Sequence, residues 1–239
     1  MTLNFEAASH IGYKRRTNED RYFTRRLADG SLLIAVADGM GGLPGGDKAA
    51  SLAIGAMAEA DSDGSVDQAM LGRLIMAAHK SVIEYALRHP ALDGMGTTLT
   101  AAVVRQESVF WAHVGDSRLY LLHNGSLSQL TTDHRFLSSM IADGDITAEQ
   151  AKEHPLRNLL DQCLGCSSIM PETGYADLAP GSMLLLCSDG LYEDVSYETL
   201  TAILNRKEPI ADKASLLVRT ALENGGRDNV TLVIVERDR

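Results

Sequence analysis

Two apolar runs in this chain end in the same dipeptide. Leu32 to Ala37 leads into Asp38-Gly39-Met40-Gly41-Gly42, and Met183 to Cys187 leads through Ser188 into Asp189-Gly190. A strand of four to eight apolar residues is held on both faces, so the residue leaving it has a defined position. Glycine then lets the backbone bend and lets a carbonyl or a ligand come close. An aspartate at the mouth of such a glycine turn offers two hard oxygens on a short, stiff arm. Oxygen-only donor sets suit Mg, Mn or Ca, whereas zinc prefers Cys and His. A single Asp-Gly carries little weight because it is a common turn dipeptide. Two of them, each after a run too hydrophobic for a surface hairpin, make a candidate metal site.

Three more acidic clusters lie beside predicted strand boundaries: Asn18-Glu19-Asp20, Gly115-Asp116-Ser117-Arg118 and Arg227-Asp228-Asn229. Taken singly, each reads as a solvated turn, since Asp and Asn bond their own backbone there. All five clusters could also converge on one edge of a sheet.

The elements that would position them follow from hydrophobic periodicity. Strands are predicted over 2–10, about 20–28 and 31–37. Helices follow over about 46–60, rich in alanine and so suited to close packing on a sheet, and over about 66–88. Segments 97–105, 108–114 and 117–123, divided by short polar turns, predict an antiparallel meander. Residues 132–154 read as helical with a break at Asp143-Gly144-Asp145. Strands near 172–177 and 182–188, helices near 197–205 and 210–223, and a strand at 229–236 complete the chain. Strands in runs followed by helices in runs imply an α+β protein whose helices cover packed antiparallel sheets.

Composition narrows the function classes. The 239 residues, 45% hydrophobic and 23% charged, suffice for one sizeable core, and no Ser/Pro-rich or charged linker divides them, so one domain over 1–239 is expected. A net charge of -10 repels nucleic acid and anionic membrane surfaces, and neither is an expected partner. The N-terminus lacks a signal-peptide pattern and no apolar run approaches a membrane span, so a cytoplasmic protein is expected. Three cysteines are too few, and odd in number, for a disulfide framework. Cys163 and Cys166 form a CxxC without the second pair that zinc would need. Two incidental thiols are the favoured reading, with a reversible disulfide as the alternative. Cys187 and Trp111 are expected in the core, His113 as a satisfied structural histidine, His134 and His154 as turn residues, and Thr97 and Thr98 as locally bonded.

In order and spacing, six motifs resemble the metal-dependent protein phosphatase family, PPM, also called protein phosphatase 2C. They are Gly12 to Asp20 (GYKRRTNED), DGMGG from Asp38, Gly96-Thr97-Thr98, HVGDSRLY over 113–120, LLLCSDGL over 184–191 and Arg227-Asp228-Asn229-Val230-Thr231. The bacterial branch is the nearest likeness. Asp133-His134, residues 144–151, His154-Pro155 and Arg157-Asn158 resemble its flap and the segment after it, a subregion of about 132–165 bordering the substrate groove. The architecture expected is a four-layer α-β-β-α sandwich, two packed, mainly antiparallel sheets flanked by helices.

The resemblance implies a protein serine/threonine phosphatase that hydrolyses phosphoserine and phosphothreonine on proteins by direct attack of a metal-bridging water, opposing a kinase; a monomer is expected. It implies two Mn or Mg ions. Asp38 would bridge them, the Gly39 carbonyl would complete one, Asp189 and Asp228 would hold the other, and Glu19 would ligate through water with Asp20 behind it. Asp116 would help hold a third, weaker ion shared with Asp189, and Arg15 would clamp the phosphate. Two ions suit this chemistry because they shield a phosphate dianion from which hydroxide is otherwise repelled. Crowded carboxylates repel without metal, so a looser apo site is expected. The chain departs from the family pattern at Met40, where many eukaryotic members carry histidine, in the loop 42–47, and at Asp161-Gln162-Cys163. A non-catalytic phosphoprotein-binding or regulatory module with the same fold is the alternative, as is a different phosphoprotein target such as an anti-sigma-factor antagonist.

Overall fold

The most apolar strands are buried on both faces. In the computed structural model, which describes residues 3–40, 44–60 and 66–238, every residue of β3 (Leu32–Ala37) and β9 (Met183–Cys187) is buried. Side chains alternate across a strand. Leu32, Ile34 and Val36 of β3 therefore point to one core, and Leu33, Ala35 and Ala37 to another. Full burial of each Leu, Ile or Val contributes about 1.5–3 kcal/mol, so strands of this kind set the frame of the molecule.

The strands form two antiparallel five-stranded sheets. One has the order β1 (Leu3–His10), β10 (Val230–Arg237), β9, β6 (Arg118–His123), β7 (Ser126–Gln129). The other has the order β2 (Arg21–Arg26), β3, β4 (Leu99–Val104), β5 (Ser108–Val114), β8 (Glu172–Asp177). Their inner faces meet in one core, where Ile34, Val36 and Ala102 pack with Leu184, Leu186 and Val233. Helices α1 (Gly46–Ala58) and α2 (Gln68–Arg88) cover the second sheet. Ala49, Ala50 and Ala53 of α1 are fully buried in the same cluster as Ala35, Ala37 and Ala101, small residues on both sides permitting close approach. Helices α5 (Asp189–Tyr192), α6 (Tyr197–Leu204) and α7 (Ile210–Glu223) cover the first sheet. The four-layer α+β sandwich expected from the sequence is the observed architecture. Between β7 and β8 lie α3 (Phe136–Ala142) and α4 (Ala148–Glu153), the latter opened by a Thr147/Gln150 capping box. Among the described residues no helix is long and apolar enough to cross a membrane.

Several expectations need correction. The segments 97–105, 108–114 and 117–123 are not one meander. β4 pairs with β5, but β6 pairs with β7 and β9 in the other sheet. The chain crosses between sheets at Gly115-Asp116-Ser117, where Gly115 takes φ 111°. Asp189 begins helix α5 after Ser188 rather than sitting in a turn. Gly190 allows that helix to start against β10, since a Cβ there would stand 2.1 Å from the Asn229 carbonyl oxygen. Strand β7, helix α5 and a short 3-10 turn over Pro90–Leu92 are additional elements. Cys163 and Cys166 are joined in a disulfide rather than being two incidental thiols. Cys187 and Trp111 are core residues as expected. The departing loop 42–47 lies partly outside the described residues.

Candidate metal and phosphate site

Strand ends from both sheets meet at one rim, and the acidic clusters meet there with them. A cavity of about 160 Å³ is lined by Arg15, Asp38, Met40, Thr98, Asp116, Asn158, Leu160, Asp189 and Asp228. Four of the six residues proposed as metal ligands from sequence thus share one hollow, although more than a hundred residues separate Asp38 from Asp189.

Each carboxylate is placed by a specific brace. Asp38 leaves β3 with its backbone N–H donating to the Thr98 hydroxyl (3.0 Å), while its carbonyl accepts from the Thr98 N–H (2.9 Å) and the Thr97 hydroxyl (2.8 Å). Thr98 also bonds the Ser117 hydroxyl at 2.8 Å, tying the Asp38 corner to the Asp116 crossing. Gly39 bridges to Thr97 and approaches α1 so closely that a Cβ would lie 2.4 Å from the Gly46 carbonyl oxygen. Glu19 projects against Gly46, where a Cβ would stand 2.9 Å from its Oε2. The Glu19 N–H donates to Asn229 Oδ1 (2.8 Å), and Asn229 Nδ2 donates to the Ile11 and Thr17 carbonyls, holding the whole Arg15 to Asp20 loop against β10. Asp20 lies behind, 3% exposed, accepting from the Ser188 hydroxyl at 2.7 Å. Its other oxygen, Oδ1, has no hydrogen-bond partner.

The electrostatics are those of a site short of positive charge. Burial, then repulsion from Asp20, Asp189, Asp116 and Asp228, pushes the Asp38 carboxyl well above the usual range. Burial and the neighbouring Asp116 and Asp228 do the same to Asp189. Burial raises Asp20 to about 6, and raises Glu19 and Asp116 as well, Asp116 being partly relieved by Arg135. Of the described residues lining the cavity, Arg15 is the only cation, and its Nη2 donates to Asp228 Oδ2 at 2.6 Å. An all-oxygen donor set, mutually repelling, with an unpartnered buried carboxylate oxygen behind it, fits hard divalent cations.

Among the described residues, one group of His, Cys, Asp or Glu has ligand atoms all within 4.8 Å, and it is elsewhere: His113, His134 and Glu172. Several of its ligand atoms are already engaged. His113 bonds the Thr100 hydroxyl (2.7 Å) and the Thr132 carbonyl (3.2 Å), His134 Nδ1 accepts from the Gly115 N–H (3.2 Å), and Glu172 accepts from the Thr132 N–H (2.8 Å). Burial lowers His113 to about 3, keeping it neutral as the satisfied structural histidine expected. His134 braces the turn at Gly115, as foreseen for a turn residue.

Sequence reasoning missed five supports of the site. Thr97 and Thr98 bond across strands to the Asp38 corner rather than only locally, and that corner is also reached by the Cys163 to Cys166 loop through a Thr97–Leu164 bridge. Ser188 and Asn229, adjacent to motif aspartates, carry the hydrogen bonds that orient Asp20 and Glu19. Their positions inside the CSDG and RDN motifs were the available signal. Arg135 gave no signal, because its partner Asp116 is 19 residues away.

Known proteins resemble this chain over nearly its whole length. The family profile described as "Protein phosphatase 2C" matches residues 8–224. The chain is 38% identical over 238 residues to serine/threonine protein phosphatase PstP of Mycobacterium tuberculosis, covering 99% of this chain but 45% of PstP, so it spans about half the length of that relative. It is 36% identical over 243 residues to serine/threonine phosphatase stp of Listeria monocytogenes, covering 99% of this chain and 96% of the relative. A crystal structure of the PstP catalytic domain in complex with two manganese ions superposes with a TM-score of 0.87 at 36% identity, covering 99% of each chain.

Proposed function

The chain belongs to the protein phosphatase 2C family, and from that premise we propose that it is a metal-dependent serine/threonine phosphatase acting on phosphoproteins. The observation that carries the proposal is the convergence of Asp38, Asp116, Asp189 and Asp228 with Arg15 on one cavity. Asp38 would bridge two divalent ions, with Glu19 and the Gly39 carbonyl on one side and Asp189 and Asp228 on the other. Asp116 and Asp189 would share a weaker third. Bound there, Mn or Mg ions supply the positive charge a phosphate dianion requires and activate the attacking water.

The protein's own residues prepare the reaction. Thr97 and Thr98 hold the Asp38 backbone from both sides. Arg15, half-exposed over the cavity, exchanges its Asp228 partner for two phosphate oxygens, which its planar fork matches. Water attacks phosphorus, the P–O ester bond breaks, and the leaving serine or threonine oxygen takes a proton. No histidine is among the described residues lining the cavity, so the proton would be supplied by a metal-bound water or by a group outside that lining.

We read residues 1–239 as one catalytic domain with 132–165 as a flap beside the groove, acting as a cytoplasmic monomer against a serine/threonine kinase. All the expected ligand types are present, which favours catalysis over a binding module. The test is hydrolysis of p-nitrophenyl phosphate and phosphopeptides with added Mn. Activity should vanish in EDTA and in Asp38→Ala, and full activity in EDTA would refute the proposal. Calorimetric titration showing no divalent-ion binding would support the module instead.

A further inference from the structure

Arg135 opens the segment that leads into α3, and its backbone bridges to Leu160, a residue lining the metal cavity. Its side chain does not point into solvent. Nε donates to Asp116 Oδ2 at 3.0 Å, and Nη2 lies 2.9 Å from the same oxygen. Nη2 also reaches the Tyr192 hydroxyl (2.9 Å) and Glu193 Oε1 (2.9 Å) at the end of α5, the helix that Asp189 begins. The Tyr192 hydroxyl in turn donates to the Asp116 carbonyl at 2.9 Å. The nearby Asp133 is a more distant partner of Arg135, because Arg118 holds both its oxygens at 2.8 and 2.6 Å and leaves it 3.9 Å from Arg135 Nε. Arg135 thus spends its charge on Asp116 and Glu193, with its side chain only 18% exposed.

We propose that the Arg135 guanidinium is a resident cation on Asp116, which weakens this carboxylate as a ligand for a third divalent ion while fastening the start of the flap to the helix carrying Asp189. This rests on the phosphatase reading above and gives Arg135 a positioning role within it. The reasoning is that a guanidinium stays charged at any accessible pH, and a dication sharing Asp116 would sit beside it at a few ångströms in a poorly solvated place, where like charges repel strongly. One oxygen of Asp116 is committed to the guanidinium, so only the other is left for an ion. The third site is therefore weak in this chain by construction, and the flap is anchored without it.

The experiment is equilibrium dialysis and calorimetric titration of Mn on the metal-stripped whole chain, comparing wild type, Arg135→Ala and Arg135→Lys. In all three, two ions should bind with similar affinity, which also reports that each variant is folded. Binding of a third should tighten about tenfold or more in Arg135→Ala, as expected when a like charge is removed from a buried neighbour. Arg135→Lys, which keeps the charge, should stay near wild type. If Arg135 merely held Asp116 in place, Arg135→Ala would weaken the third ion instead, and that result, or an unchanged third affinity, overturns the proposal. Absence of the two tighter ions from wild type would overturn the phosphatase reading itself, and this proposal with it. Hydrogen exchange over residues 136–153 should accelerate in Arg135→Ala, which loses the guanidinium's contacts to Asp116, Tyr192 and Glu193; protection equal to wild type would refute the anchoring role.

Discussion

Replacing Asp20 by asparagine should stabilise the metal-free protein, although it alters a buried residue behind the proposed metal site. Asp20 is 3% exposed, with Oδ2 accepting from Ser188 and Oδ1 unpartnered. After burial, its charge is the largest cause of the raised Asp38 carboxyl. Burial lifts Asp20 from 3.8 to about 6. A shift of about two units at about 1.4 kcal/mol each means that ionised Asp20 costs the fold about 3 kcal/mol at pH 7.5. The sign follows from proton binding. Between about pH 4 and 6 the folded state binds more protons at this group than the unfolded state, so its stability falls as pH rises through that window and the cost is constant above it. Asparagine keeps an oxygen for Ser188 and can turn its amide toward the Asp38 carboxylate, removing the charge at little loss of volume. In EDTA at pH 7.5, Asp20→Asn should melt about 6–12 °C above wild type, scaling about 3 kcal/mol by the usual response of a domain this size. At pH 4 the gap should shrink to about 0.5 kcal/mol, or a degree or two. Saturating Mn should narrow the gap at pH 7.5, because the ions compensate the charge that asparagine removes. The assay is thermal denaturation by circular dichroism from pH 4 to 8. A gap of equal size at both ends of that range would refute the electrostatic reasoning, as would an Asp20→Asn protein less stable than wild type at pH 7.5.

Other expectations follow from the same geometry. Arg15→Ala should lower kcat/KM for a phosphomonoester by about 10- to 150-fold, the value of about 1.5–3 kcal/mol for hydrogen bonds to a charged group, and leave Mn affinity no weaker since Asp228 is freed. Steady-state kinetics beside a Mn titration would check both halves. Thr98→Val keeps the shape but strips the hydroxyl that accepts from the Asp38 N–H and bonds Ser117, so stability should fall by about 1–3 kcal/mol in urea denaturation. Activity in Thr98→Val should fall more steeply than in a core variant of equal stability, because the lost bond fixes the backbone of Asp38, the proposed bridging ligand.

The parts of the fold legible in advance were those encoded locally. The β3 and β9 runs are apolar at every position, which is how a strand covered on both faces must read, and the helices over 197–204 and 210–223 have regular spacing. The β5 to β6 connection was misread because a short polar turn looks alike whether it joins neighbours or carries the chain to another sheet. Only the partners of β6, which are β7 and β9, distinguish the two. The reading of Asp189 as a turn residue failed for a similar reason. A four-residue helix is too short to show a period, and its start depends on packing against β10.

The sequence by itself determined the chemistry on offer. Aspartates at the ends of apolar strands supply hard oxygens, and an arginine precedes the first acidic cluster. Those are properties of residue type and local order. Tertiary structure alone decided that Asp38, Asp116, Asp189 and Asp228 face one cavity, because convergence depends on how two sheets stack and where the chain crosses between them. It also decided which groups restrain them: Thr98 on Asp38, Ser188 on Asp20, Asn229 on Glu19 and Arg135 on Asp116. Hydrogen bonds act over about 3 Å and carry no mark of sequence distance. A cation already paired with a motif carboxylate is therefore invisible until the chain is folded.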